Sequence, residues 1–281
     1  MLPDDRLEVP PRWRGATFPA TDAVGTELTR PHPAGGLVLR QLKRSDETAF
    51  GVWESATGKL VRLLPDAADA RWTPDGSHLV SVNESLVATV HVSPALSAHA
   101  QARLEFDIGR GIGGLDLTIS GSGSLAAARI YSGQSEEGYV LYSLPDLVTL
   151  ATLPYTPGES ASPCVFSPDE TYLAFVIEPD GVWWTGDGDE ADWDTPAEGG
   201  PVQWAVLHIQ ETRRHGVRAQ HPILVDVPRG WVPSEELAGA SWPRNVRFAA
   251  GGQLAFDLPW GGTCSIPFPP KTPCFAPLPK A

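Results

Sequence analysis

Cysteine is scarce in this chain of 281 residues: three stand at 164, 264 and 274, and none forms a Cys-x-x-Cys pair. That absence leaves a zinc ribbon unsupported. The odd count, with no apolar segment in Met1-Leu2-Pro3-Asp4-Asp5-Arg6 to read as a secretory signal, leads to the expectation of a reducing, cytoplasmic setting. Cys164, beside Val165 and Phe166, reads as a small buried hydrophobe, and a Cys264–Cys274 disulfide stays open. No run of about 18 apolar residues is present to span a membrane, so no membrane partner is expected. Sustained helical periodicity is also missing. A turn or two near Pro233-Ser234-Glu235-Glu236-Leu237, capped by Ser234, is the one helical candidate.

Basic clusters are few. The largest is Arg213-Arg214 with His215 and Arg218, and the formal net charge is −13. Such acidity disfavours binding to nucleic acid, which depends on neutralising phosphates. Catalytic signatures are missing as well. Histidines 32, 78, 91, 99, 208, 215 and 221 give no His-x-x-x-His ligand pair, and no Gly-x-Ser-x-Gly elbow occurs. Gly109-Arg110-Gly111-Ile112-Gly113-Gly114 precedes a strand instead of a helix, so it reads as a linker and not a phosphate loop. No cofactor is expected.

What the chain has is turns and a repeat. Gly and Pro number 28 each, as a turn-rich all-β protein requires. Trp72-Thr73-Pro74-Asp75-Gly76-Ser77-His78-Leu79-Val80-Ser81 matches Phe166-Ser167-Pro168-Asp169-Glu170-Thr171-Tyr172-Leu173-Ala174-Phe175 position for position. Weaker copies follow at 32–39, 119–125 and 248–256. Anchors at Pro33, Pro74, Ser120, Pro168 and Ala250 are separated by 41, 46, 48 and 82 residues. The last interval is one unit with an insertion or two units. Short β-branched and aromatic runs bounded by Gly, Pro, Asp and Ser divide each unit into strands. Trp72, Phe166 and Phe248 are expected as equivalent, largely buried inner-strand residues.

These repeats resemble the WD40-like β-propellers, close to the bacterial type with a Phe-Ser-Pro-Asp-Gly core. Val52-Trp53-Glu54-Ser55-Ala56-Thr57-Gly58-Lys59 is similar to the end of such a blade, with Glu54 where Asp is usual. The resemblance implies an all-β propeller, a single domain of five blades of four antiparallel strands. The blades fall near 25–64, 68–106, 113–153, 161–225 and 243–268. The last unit shows three strands, so a fourth is expected from the N-terminal segment within Leu7–Phe18. The resemblance carries no catalytic residue.

Two segments interrupt the repeat. Pro179–Pro201 holds Trp183, Trp184 and Trp193 among close acids, and 226–243 holds Trp231 and Trp242. Both map to the face that carries the unit-to-unit linkers, including Arg110. Trp183, Trp184, Trp193, Trp231, Trp242 and Arg110 are therefore the binding candidates, since tryptophan supplies large anchoring contacts. The alternative is that these tryptophans cover sheet edges or close the gap between units. Asp187, Asp189, Asp192 and Asp194 offer oxygen ligands suited to calcium, but Ala191 stands where a third ligand belongs and no glycine follows it.

A non-enzymatic module that binds a protein or peptide leads the functional readings. A propeller hydrolase would need paired carboxylates, for which Glu105, Asp116 and Asp257 are the inward candidates. An acidic inhibitor or immunity-type protein with a basic partner is the third reading. Asp75 and Asp169 read as turn residues whose side chains bond nearby backbone.

Overall fold

The computed structural model describes residues 6–21, 27–45, 47–104, 114–131, 137–155, 159–161, 163–179, 203–209, 223–226, 244–249, 253–257 and 263–267. Its organising element is one turn, made four times. The N–H groups of His32, Thr73, Ser120 and Ser167 donate to the carbonyls of Leu37, His78, Leu125 and Tyr172 at 2.8–3.0 Å. Their own carbonyls accept from Gly35, Gly76, Gly123 and Glu170, also at 2.8–3.0 Å. The donor residue of that second bond is left-handed, a backbone that glycine adopts without cost. The φ angles there are 80°, 73° and 75° at the glycines and 56° at Glu170. Thr73, Ser120 and Ser167 add a hydroxyl that accepts the N–H of His78, Leu125 and Tyr172 at 3.0, 3.1 and 2.9 Å.

Asp75 and Asp169 close the turn from inside, as expected of Pro-Asp. Each accepts a hydroxyl (Thr73 at 2.6 Å, Ser167 at 2.5 Å) and a backbone N–H (Ser77 at 3.0 Å, Thr171 at 3.1 Å). These donors favour the charged form. The Thr73 hydroxyl and the Ser77 donors pull Asp75 down to about 2, and the Ser167 hydroxyl lowers Asp169 likewise. A fourth bond repeats too. Gly36, Ser77, Ser124 and Thr171 accept at their carbonyls from the N–H groups of Ser55, Ser93, Leu144 and Ile209 at 2.8–2.9 Å. The first turn of each of these four units is thereby tied to the end of its third strand. The equivalent positions 32, 73, 120 and 167 are 41, 47 and 47 residues apart. Gly121, not Ser120, is thus the counterpart of Pro33, Pro74 and Pro168, which corrects the sequence alignment by one residue.

Among the described residues twenty strands follow in chain order. β1 (Thr29–Pro31), β2 (Leu37–Arg44), β3 (Glu47–Glu54) and β4 (Leu60–Pro65) form the first sheet in that order. β5 (Ala67–Trp72), β6 (His78–Asn83), β7 (Val87–Val92) and β8 (Ser97–Arg103) form the second, and β9 (Gly114–Ile119), β10 (Leu125–Tyr131), β11 (Glu137–Ser143) and β12 (Val148–Tyr155) the third. In the fourth, β13 (Glu159–Ala161) and β14 (Val165–Phe166) both pair with β15 (Tyr172–Pro179), followed by β16 (Gln203–His208) and β17 (Ile223–Asp226). β18 (Arg244–Ala249), β19 (Gln253–Asp257) and β20 (Thr263–Pro267) make a fifth sheet of three strands. The strands of the first, second, fourth and fifth sheets pair antiparallel. Successive up-and-down sheets of this kind are the blades of the β-propeller class. The described strands between 159 and 226 belong to one sheet. Among the described residues the only helical element longer than one residue is a 3-10 turn at Pro11–Trp13. The helical candidate at 233–237 lies outside them.

The chain divides into two compact units, 1–105 with 114–130 and 140–149, and 106–113 with 131–139 and 150–281. In the first unit, alternation along β2 and β3 gives the first sheet two apolar faces. Leu39, Phe50 and Val52 pack with Trp72, Leu79 and Leu96 between the first and second sheets. Val38, Leu42, Ala49 and Trp53 on the opposite face are covered by Leu7 and Trp13. The expectation that Leu7–Phe18 completes the last sheet is therefore corrected. This segment lies across the first sheet, where its apolar residues find a face to bury. The Trp-Glu-x-x-Thr-Gly stretch ends that sheet's third strand as a turn: Thr57 donates its hydroxyl to Glu54 at 2.7 Å, and Gly58 takes φ 73°.

In the second unit Tyr139 stacks on Phe175 with centroids 4.4 Å apart. Leu173, Phe175, Leu254, Ala255 and Cys164 are buried. Cys264 lies in β20 with its backbone opposite Phe256, and Cys274 lies outside the described residues. The three expected anchors are not equivalent. Trp72 is buried, because its indole donates to the Arg30 carbonyl at 3.2 Å and meets the His32 ring edge-on at 4.7 Å. Phe166 and Phe248 are half-buried, Phe166 at the end of a strand only two residues long.

Two outcomes follow for chemical denaturation. Trp72→Ala should cost about 3–5 kcal/mol, the usual cost of emptying a buried aromatic site, and Phe166→Ala clearly less. Glu170→Gly should raise stability by up to about 1 kcal/mol, because it relieves the one left-handed non-glycine among the four turns. Destabilisation by Glu170→Gly would mean that the Glu170 side chain outweighs its backbone conformation.

Candidate functional site

Antiparallel order divides each sheet into two ends. The repeated turns mark one end, and the unit-to-unit linkers with the second-to-third-strand loops mark the other. In the fourth sheet the linker end is defined by register. Glu159 lies opposite Pro179, Ile177 opposite Gln203, and Gln203 opposite Asp226. The residues that bracket 180–202, and the residue from which 227–243 departs, thus sit side by side along one edge. Trp183, Trp184, Trp193, Trp231, Trp242 and Arg110 lie outside the described residues, as do Asp187, Asp189, Asp192 and Asp194. Among the described residues no group of three or more His, Cys, Asp or Glu side chains is arranged to hold a metal ion. Among the same residues no helix is long and apolar enough to cross a membrane.

The first unit shows what the inner strands carry near this end. Asp69 and Asp116 occupy equivalent positions, four residues before Thr73 and Ser120. Arg30 and Arg71 are likewise equivalent, two residues before His32 and Thr73. Asp69 accepts Arg30 at 2.6 Å and Arg71 at 3.1 Å. It also accepts the backbone N–H of Ala70 at 2.8 Å and of Leu117 at 2.9 Å. Burial alone would push this carboxyl up. The guanidiniums of Arg71 and Arg30 and the Leu117 N–H more than offset burial and hold it below the ordinary range. Asp116 takes both Nε (2.9 Å) and Nη2 of Arg129.

This arrangement is a charge-compensated layer and not an acid–base pair. Asp116 receives two nitrogens of one guanidinium, and Asp69 receives one nitrogen from each of two. Of the inward acids read from the sequence, Asp116 is thus an ion-pair partner. Glu105 lies outside the described residues, and Asp257 lies in β19 with its backbone opposite Arg244 and Thr263. Sequence reading missed Asp69. The signal available was its fixed offset from the turn, shared with Asp116.

No protein-family model and no curated protein matches the sequence. Among solved structures, hydrazine synthase from Kuenenia stuttgartiensis is similar, with a TM-score of 0.55 and 12% identity over 82% of this chain. This chain spans 60% of that one's length. The Cps50 (Swd1) β-propeller domain of Myceliophteria thermophila matches at a TM-score of 0.49 and 10% identity, over 86% of this chain and 64% of that one. At 12% identity the first likeness bears on fold alone.

Asp69→Asn should cost about 3–5 kcal/mol, because it leaves buried guanidinium charge without its counter-ion. The folded carboxyl sits below its unfolded value of 3.8. Its contribution is therefore complete above that pH and is lost as pH falls through the lower folded value. Acid titration of stability should be shallower in Asp69→Asn than in the wild type; identical acid limbs would refute the assignment.

Proposed function

We propose that the chain is a non-enzymatic, WD40-like module that binds a protein or peptide partner at the linker end of its sheets. The observation that carries this reading is the register of the fourth sheet. The strand ends that bracket 180–202, and the one preceding 227–243, lie on one edge, and those segments hold Trp183, Trp184, Trp193, Trp231 and Trp242. Extra chain length mounted on a rigid hydrogen-bonded scaffold is where recognition concentrates. Tryptophan buries the most surface for the fewest rotamers fixed. The ion-pairing of the placed inner-strand carboxylates favours binding over hydrolysis.

Deletion of 181–199 in the full chain provides the test. The melting temperature should stay within a few degrees, because the strands on either side keep their ladder, and partner capture from a cell extract should be lost. Retained capture would remove the segment from the site. A collapse in stability would make these tryptophans part of the core instead.

A further inference from the structure

The first sheet carries a second apolar face, and among the described residues of its unit the segment 6–18 packs on it. Among the described residues, the backbone bonds of the segment 6–18 to the sheet lie near its two ends. Glu8 donates to Gly58 at 2.8 Å, and Thr17 and Lys43 exchange bonds at 2.9 and 3.0 Å. Between these points the chain is held by side chains. Leu7 and Trp13 are 7% and 2% exposed, against Val38, Leu42, Ala49 and Trp53. Val9, Ala16 and Phe18 pack at the margin. Pro10, at φ −55° and ψ 149°, sets the extended form before Pro11 begins a single 3-10 turn.

The sheet supplies a fitted surface for this segment. The Trp53 indole lies over Gly51, where a Cβ would run into its ring, and donates to the Glu8 carbonyl at 2.8 Å. The Leu60 N–H donates to the Glu8 carboxylate at 3.0 Å. At Gly58 a Cβ would run into the Arg6 carbonyl oxygen, so the path of the segment is set there too. Arg40 lies over the Phe18 ring at 4.6 Å. The Arg12–Glu47 pair, 3.0 Å long, is 65% and 52% exposed, so it adds little. The anchors are the aliphatic residue and the tryptophan six positions later. Fixed backbone hydrogen bonds with pockets for spaced side chains are how folded domains take extended peptides.

We propose that this face is a peptide-docking surface which the chain fills with its own N-terminal segment. When that segment is loosened, the face accepts from a partner an extended stretch bearing an aliphatic residue, a Pro-Pro pair and a tryptophan in the same spacing. A tethered occupant is present at an effective concentration on the order of millimolar. The wild type should therefore exclude free peptide, and weakening of an anchor should admit it.

The probe is a fluorescein-labelled synthetic peptide of residues 6–18, titrated by anisotropy into the full chain. Trp13→Ala should bind it at least tenfold more tightly than the wild type. Replacing the peptide's own tryptophan by alanine should weaken that binding at least tenfold. If Trp13→Ala does not fold by circular dichroism, the full-chain Leu7→Ala variant takes its place with the same expectation. Equal binding by wild type and folded variant would overturn the proposal. So would binding by neither, equal uptake of a scrambled peptide, or a variant that self-associates and excludes the peptide.

Discussion

One carboxylate receives donors from three sheets. Asp69, on the inner strand of the second sheet, holds Arg30 from the first and the Leu117 N–H from the third, besides Arg71 and Ala70 of its own. An unpaired charge at such depth is prohibitive, so the three sheets must keep the spacing that delivers these donors together. Hydrophobic packing between sheets tolerates small slips; a buried carboxylate with four defined donors does not. Arg30 also donates to the Ala70 carbonyl and receives no freedom to rotate away. The register of β1, β5 and β9 is thus set by charge, while Leu39, Phe50, Val52, Trp72, Leu79 and Leu96 supply the bulk of the buried area.

Outside that layer the repeated turn does the positioning. Its bonds link the first, second and third strands of the four units in which it is described, without any side chain beyond a hydroxyl or carboxylate. The turn end of each sheet is therefore conformationally determined, and variation in length is pushed to the other end. In the fourth unit the two strands bracketing 180–202 keep their pairing from Tyr172 opposite His208 to Ile177 opposite Gln203. The added length leaves the ladder intact.

Local chemistry made the turns and strands legible from sequence. Thr-Pro-Asp-Gly and Ser-Pro-Asp-Glu place a capping carboxylate third and a left-handed residue fourth, and alternating apolar residues mark the strands between. Glu170 shows the limit: it occupies the glycine position, and only the shared pattern around it identifies the turn. What was illegible depended on contacts distant in sequence. The burial of Trp72 requires His32 from the preceding unit, and nothing in Val165-Phe166 announces that its ring is half-exposed. The destination of Leu7–Phe18 depended on which sheet offered an uncovered face. The strand count left the last unit one short, but Trp53 and Gly51 had already shaped a face on the first. Asp69 looked like one acid among 34 Asp and Glu residues until its offset from the turn was compared with that of Asp116. The tryptophans of 180–202 and 227–243 were legible as departures from the repeat, which is what makes them candidates.

If Asp69 locks the first three inner strands together, their amides open together. Native-state hydrogen exchange at low denaturant reads this directly at Ala70 and Leu117, whose N–H groups both donate to that carboxylate, and at Thr73 and Ser120 in the adjoining turns. One shared opening free energy, equal to that of global unfolding for this part of the chain, is the predicted result. Leu117 and Ser120 exchanging at a distinctly lower free energy than Ala70 and Thr73 would contradict it, showing that the sheets open separately and that the carboxylate does not couple them.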